Sequence, residues 1–385
     1  MNRGVFLPCG MFFRLGLLTV LLCCVAGCTR PGDVVWEFNT GDWISSSPAV
    51  ADGLVYVGSK EPNRLYCRDA FTGKAVWEFR TRDYIDSSPA VADGLLYFGT
   101  QERDRRIYCL DAETGVKVWE YQTGDFVYSS PAVADGLVYV GSNDGKVYCL
   151  DSGSGALVWD YETAAGIIAS PAVAGGRVYI GSTDGSLYCL DAADGSAAWR
   201  FVSAGGIRSS AAVSQGRVYV GCTQGTMYCI DAEKGIACWR FVTEQSVNSS
   251  PAVAGGRVYV GSSDSRVYCL DGITGRELWR FETDSWVFSS PALSGGSVYI
   301  GSGGGNIYCI NAESGEQVWV YTTGGNVYAS CAVSDGHVYA ASHDNTLYCL
   351  KGAAGDAGSW PMFRARPART GTSGEMPQRN SGTQL

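Results

Sequence analysis

One tryptophan returns about every forty residues along most of this chain. It stands at Trp36, Trp77, Trp119, Trp159, Trp199, Trp239, Trp279 and Trp319, with steps of 41, 42 and then 40 five times. The cysteine of a Tyr-Cys pair keeps the same period from Cys67 to Cys349, and an "SSPAV" segment or a close variant precedes each pair. Each landmark occurs eight times. A fixed period of this length is the mark of a repeat architecture, and the content of the period decides which one.

Each period holds four short apolar bursts. Strand A is "SSPAV", strand B is of the type "LVYVGS", strand C "KVYCLD" and strand D "LVWDY". Turn signals such as "ADG", "NDG" and "ETG" separate them. The Val and Tyr content with two-residue alternation fits half-buried strands, and Asn-Asp-Gly fits a tight hairpin. Four strands in about forty residues make a β-propeller blade. The expected fold is therefore all-β: an eight-bladed propeller with four antiparallel strands per blade.

The phase of the landmarks predicts the closure. The chain opens with a D-type strand at 34–38 and ends with A, B and C strands before 351, so the N-terminal strand should complete the eighth blade. A ring closed in this way leaves no open seam. Proline in strand A belongs on an edge, here the innermost one facing the channel. The eight tryptophans read as core packing between blades.

The expected organisation has four parts. Residues 1–27 read as a signal peptide, with Arg3 and Arg14 ahead of an apolar run, Leu15–Cys28, too short to span a bilayer comfortably. Residues 28–33 form a lipid anchor and short linker, because Val25-Ala26-Gly27-Cys28 resembles the bacterial lipobox and would place lipid on Cys28. Tri-acylation there would anchor the chain stably to a membrane. Residues 34–351 form the propeller. Residues 352–385 form a linker and tail containing "WPMFR" from Trp360. The chain carries a net charge of −9, which disfavours nucleic acid as a partner. Localisation to the cell envelope follows from the N-terminus, facing the periplasm from the outer membrane if the cell has one.

"CLDAETGVKVW", from Cys109 to Trp119, resembles the tryptophan-docking repeat of the quinoprotein (pyrroloquinoline quinone, PQQ) propeller family. Asp111, Gly115 and Trp119 match its pattern, while Cys109 stands where the family usually has Ala. The resemblance covers the eight repeats and implies the fold. It does not fix an activity. Dehydrogenases of that family hold PQQ against a ring of two adjacent disulfide-bonded cysteines, with calcium beside it. The adjacent pair here, Cys23-Cys24, lies in the expected signal peptide, so neither PQQ nor calcium is expected, and no catalytic residue or metal site is assigned. A lipidated eight-bladed member without an enzymatic signature is similar to the outer-membrane β-barrel assembly lipoproteins of the BamB type. That likeness implies a non-enzymatic, monomeric scaffold for protein–protein interaction. A small-ligand or PQQ-dependent dehydrogenase is the alternative.

Comparison of the repeats with one another locates a candidate binding face. The A–B and C–D turns are monotonous, while the D–A and B–C connections vary and share one face. Three residues before the proline position stand Asp86, Tyr128, Arg208, Phe288 and Tyr328 in their blades; two residues earlier stand Trp43, Tyr84, Phe126 and Trp286. The aromatics fall in blades 7, 8, 1, 2 and 3, contiguous once the ring closes. Such an arc suits a protein or peptide partner. It could equally plug the channel mouth. Of fifteen cysteines, eight sit at one strand position and read as small buried hydrophobes. Cys229 and Cys238 could face each other across a hairpin as a disulfide candidate, and His337 and His343 lack a third metal ligand.

Overall fold

The computed structural model describes residues 29–353. The expected signal peptide, Cys28 and the "WPMFR" segment lie outside the described residues. Among the described residues, thirty-two strands form eight four-stranded antiparallel sheets, seven of them in chain order from the innermost strand outward. Blade 1 is β2 (Ala49–Ala51), β3 (Leu54–Gly58), β4 (Arg64–Asp69) and β5 (Ala75–Arg80). Blades 2 to 7 repeat it over 90–122, 132–162, 172–202, 212–242, 252–282 and 292–322.

The middle strands are buried on both faces because blades pack against both. Only the outer strand alternates between exposed and half-buried residues, as in β5. The first hairpin of blade 1 turns through Asp52 and Gly53 at φ 51° and 75°, the left-handed pair that a two-residue turn between twisted strands requires.

Blade 8 joins both ends of the array. Its sheet runs β1 (Val34–Asn39), β32 (Thr346–Lys351), β31 (His337–Ala341), β30 (Ala332–Ser334). Trp36 pairs with Cys349 and Phe38 with Leu347, next to a bulge. In blade 1, Trp77 pairs with Cys67 and Phe79 with Leu65, next to the same bulge. The seam therefore reproduces the register of a continuous blade.

The repeat motif is a docking device between neighbours. Asp111 Oδ1 accepts from the Thr114 amide and hydroxyl at 2.8 and 2.7 Å, and those bonds hold its carboxyl below the usual range. They shape a turn in which Gly115 takes φ 70°. The indole of Trp77, from the preceding blade, lies on that glycine so closely that a Cβ would sit 2.6 Å from the ring. Trp77 Nε1 donates to Ala112 O at 3.0 Å. The motif thus needs Asp to set the turn, Gly to receive the ring and Trp to be received by the next blade.

At the seam the device is split. Gly32, at φ 87°, takes the docking glycine's place, and a Cβ there would meet the Trp319 ring at 3.2 Å. Unlike the docked indoles of the other blades, Trp319 Nε1 has no hydrogen-bond partner among the described residues.

A second closure runs around the channel. The amide of Ser47 donates to Ser88 Oγ at 3.0 Å, Ser88 to Ser130, and so on through Ser170, Ser210, Ser250 and Ser290 to Ser330. Ser330 then donates to Ser47 Oγ at 2.9 Å, which completes a ring of eight. Strand A is too short to satisfy all its own amides, and the second serine of "SSPAV" supplies the missing acceptors.

Candidate partner-binding face

In each blade the D–A loop is tied to the B–C turn of the same blade. The Lys60 amide donates to Trp43 O at 3.1 Å, Gln101 to Tyr84 O, Asn143 to Phe126 O, Gly303 to Trp286 O and His343 to Asn326 O. The two variable connections therefore share one face. The first residue of the B–C turn stands beside the D–A aromatics.

That placement builds a ladder of rings across blades 7, 8 and 1. Phe288 packs on Trp286 with centroids 4.7 Å apart, Trp286 on Tyr328 at 4.5 Å, Tyr328 on His343 at 4.5 Å and His343 on Trp43 at 5.3 Å. Gly303 makes room for it, because a Cβ there would fall within the Trp286 indole. Lys60 Nζ lies 5.7 Å over the outer end, the Trp43 ring. Trp43 is 52% exposed, an unusual position for the largest apolar side chain.

Beyond Trp43 the arc turns polar. Ser45 Oγ lies 3.2 Å from His343 Nε2 and also bonds to Asp86. The Asp86 side chain is 9% exposed, with Lys60 Nζ 4.0 Å away. Its Oδ1 has no hydrogen bond among the described residues. Burial raises the Asp86 carboxyl against the opposing pull of Lys60 and Ser45. The chain Asp86–Ser45–His343 is not a nucleophile triad, in which the imidazole would bridge hydroxyl and carboxylate. Here the hydroxyl is in the middle, and Trp43 and Tyr328 cover the two ring faces of His343.

Phe126 and Tyr128 form a separate edge-on pair in blade 3, 5.1 Å apart. Tyr128 is 40% exposed, and its hydroxyl is shifted upward by burial and by Asp86. Tyr84 is half-buried between the two groups, and Arg208 stands exposed in blade 5, apart from both. The residues expected to form one arc are therefore two aromatic groups with a buried carboxylate between them. The clefts on the opposite face, such as the one lined by Arg257, Tyr259, Asn311 and Ala353, lie away from these rings.

His343 is the member that sequence reasoning missed. Its signal was present: the first B–C residue runs Lys60, Gln101, Asn143, Thr183, Thr223, Ser263, Gly303, His343, and varies as much as the D–A positions.

A family model described as the outer membrane protein assembly factor BamB matches residues 25–127 and 125–212. The crystal structure of BamB from Moraxella catarrhalis superposes with a TM-score of 0.72 at 21% identity, covering 83% of this chain and 99% of that one. The chain is a PQQ-like β-propeller that resembles BamB. A model described as the β-propeller of the beta-alanine-activating enzyme matches residues 174–363. The computationally designed Ika8 protein superposes with a TM-score of 0.75 at 18% identity, over 83% of this chain and 99% of its own. A europium-containing methanol dehydrogenase gives 0.66 at 14% identity, over 80% and 84%. These likenesses show the fold alone. No curated protein matches the sequence significantly. Among the described residues, no three or more His, Cys, Asp or Glu side chains gather where they could hold a metal ion. No helix there is long and apolar enough to cross a membrane.

Proposed function

We propose that this PQQ-like propeller is a non-enzymatic scaffold that captures a protein or peptide on the face carrying the D–A and B–C loops. The ring ladder from Phe288 to Trp43 carries the reading. It breaks the eightfold regularity on one side of one face, and it ends in an indole left open to solvent. Aromatic anchors of this kind dominate the energetics of protein interfaces. The BamB likeness supports a role in a barrel-assembly complex. The lipobox-like sequence at Cys28 supports anchoring at the outer membrane, with the body in the periplasm. In this reading the scaffold acts as a monomer and needs no PQQ or calcium.

Photo-crosslinking from the native membrane tests this. A photoreactive residue at position 43 or 328 is expected to capture a component of the barrel-assembly machinery, and one at position 236, in the C–D turn just before the outer strand of blade 5, is not. Equal capture at all three, or none at 43 and 328, removes the proposed surface.

A further inference from the structure

Blade 5 departs from the repeat at one place that the binding face does not use. Its outer strand, Ala237–Val242, pairs with Thr226–Asp231 through the bulge found in every blade. Cys229 pairs with Trp239 and Ile230 with Ala237, so Cys238 is the extra residue, set beside Cys229. The equivalent positions of the other blades hold Val35, Val76, Val118, Val158, Ala198, Leu278 and Val318. Among the outer strands, only this one sets a second thiol beside the repeat cysteine; Cys331 also interacts with the repeat cysteine Cys309, but both of those thiols are buried.

The two thiols differ in access. All eleven cysteines among the described residues are free thiols, including the pair considered as a disulfide from sequence. Ten are buried and Cys238 alone is exposed. Cys229 is fully buried, and burial pushes its thiol up to about 12. The bulge register nonetheless sets the two side chains beside each other, and Cys238 adds to the upward shift of the Cys229 thiol. Arg217, on the strand beyond that of Cys229, lies close enough to Cys238 to interact with it. Its counterparts are used elsewhere: Arg177 pairs with Asp191 at 3.0 Å, and Arg257 reaches Ala312 O and Glu313 O. In blade 5 a guanidinium thus stands near the sulfur that solvent reaches, and the thiolate is the form of a cysteine that attacks an oxidant.

We propose that Cys238 and Cys229 form a reversible two-thiol oxidation site, with Cys238 as the attacking sulfur and Cys229 as the resolving one. The oxidant is a peroxide. The Cys238 thiolate attacks one peroxide oxygen; an S–O bond forms as the O–O bond breaks, giving Cys238 sulfenic acid and, after proton uptake, one water. The Cys229 sulfur then attacks the Cys238 sulfur. The S–O bond breaks, and the departing hydroxide takes the Cys229 proton to become a second water. Two electrons pass from the sulfurs to the peroxide, and one disulfide staples the outer strand of blade 5 to its neighbour. The buried thiol is protected until the exposed one has reacted. The site therefore makes a cross-link where a lone exposed cysteine would proceed to higher acids.

Hydrogen peroxide treatment of the full chain, followed by tryptic mapping without reductant, tests this. The expected result is peptide 218–234 joined to peptide 235–240, with a mass lower by two hydrogens that dithiothreitol restores. Cys222→Ser should leave the link in place, since 218–234 also contains Cys222. Cys238→Ser should abolish it, and this exposed change keeps the fold. Cys229→Ala should let Cys238 advance to sulfinic acid. Peroxide that carries wild-type Cys238 to sulfinic acid, or joins two chains through it, with peptides 218–234 and 235–240 unlinked, overturns the proposal.

Discussion

The imidazole of His343 and the indole of Trp43 lie parallel, 2° between planes and 5.3 Å between centroids, although they belong to the last and first blades. Their contact exists only because β1 closes the ring. Closure therefore stabilises the fold and also assembles the candidate site, bringing together rings that neither end of the array could provide alone.

The neutral imidazole is the form the folded site favours. Burial lowers the His343 value below the usual 6.5 and nearby Lys60 lowers it further, against a smaller pull from Asp344. The unfolded chain thus binds the proton first as pH falls. The stability contributed by His343 is fully present above about pH 6.5 and is lost as pH drops through the folded value. His337 shifts the same way, through burial and Lys351. In a His337→Gln background, unfolding midpoints should fall between pH 7 and pH 5, and adding His343→Gln should flatten that dependence. A slope that survives both changes assigns the titration to other groups.

Trp319 and Trp159 offer a matched pair. Each indole is 8% exposed and seated on a glycine of the next blade. Trp159 Nε1 donates to Ala192 O at 3.1 Å, whereas Trp319 Nε1 donates to nothing described. Replacement by Phe removes similar area from both. Trp159→Phe should cost about 1 kcal/mol more than Trp319→Phe in denaturant unfolding, the net value of one hydrogen bond. Equal costs would mean that Trp319 has an acceptor in solution.

The serine ring predicts how strong the seam is. Ser47→Ala leaves the buried Ser330 amide without its acceptor, and Ser210→Ala does the same to Ser170. Each should cost about 1–3 kcal/mol, the desolvation of one unsatisfied amide. Equal costs mean that the seam is as firm as an interior interface; a larger loss at Ser47, seen in guanidinium titrations, marks it as the place where unfolding begins.

Repetition made the frame legible. Asp111, Gly115 and Trp119 recur so often that their spacing alone implied blades, and the missing D strand after Leu350 implied that 34–38 would fill it. Gly32 lies four residues before Trp36, as Gly73 lies before Trp77, so even the split docking glycine follows the pattern. The site was less legible because its contacts run between different repeat positions. His343 meets Tyr328 within blade 8 and Trp43 of blade 1 across the ring closure, relations that comparing like positions cannot show. The gap that Asp86 opens between Trp43 and Tyr128 was hidden in the same way, whereas the serine ring joins like positions and needed only the contact between neighbouring blades.

Asp86 is the one carboxylate set among the rings, and its cost is measurable. Burial raises its carboxyl and Asp83 adds to this, with Lys60 and Ser45 opposing. The folded chain therefore keeps the proton at a pH where the unfolded chain has lost it. Stability from this group is present below about pH 3.9 and is lost as pH rises through the folded value. Asp86→Asn keeps the shape and removes the charge, so it should raise the unfolding midpoint at pH 7 and leave it unchanged near pH 3. A lower midpoint at pH 7 would show that the Lys60 contact outweighs the burial, and that the carboxylate holds the mouth together in the unliganded propeller.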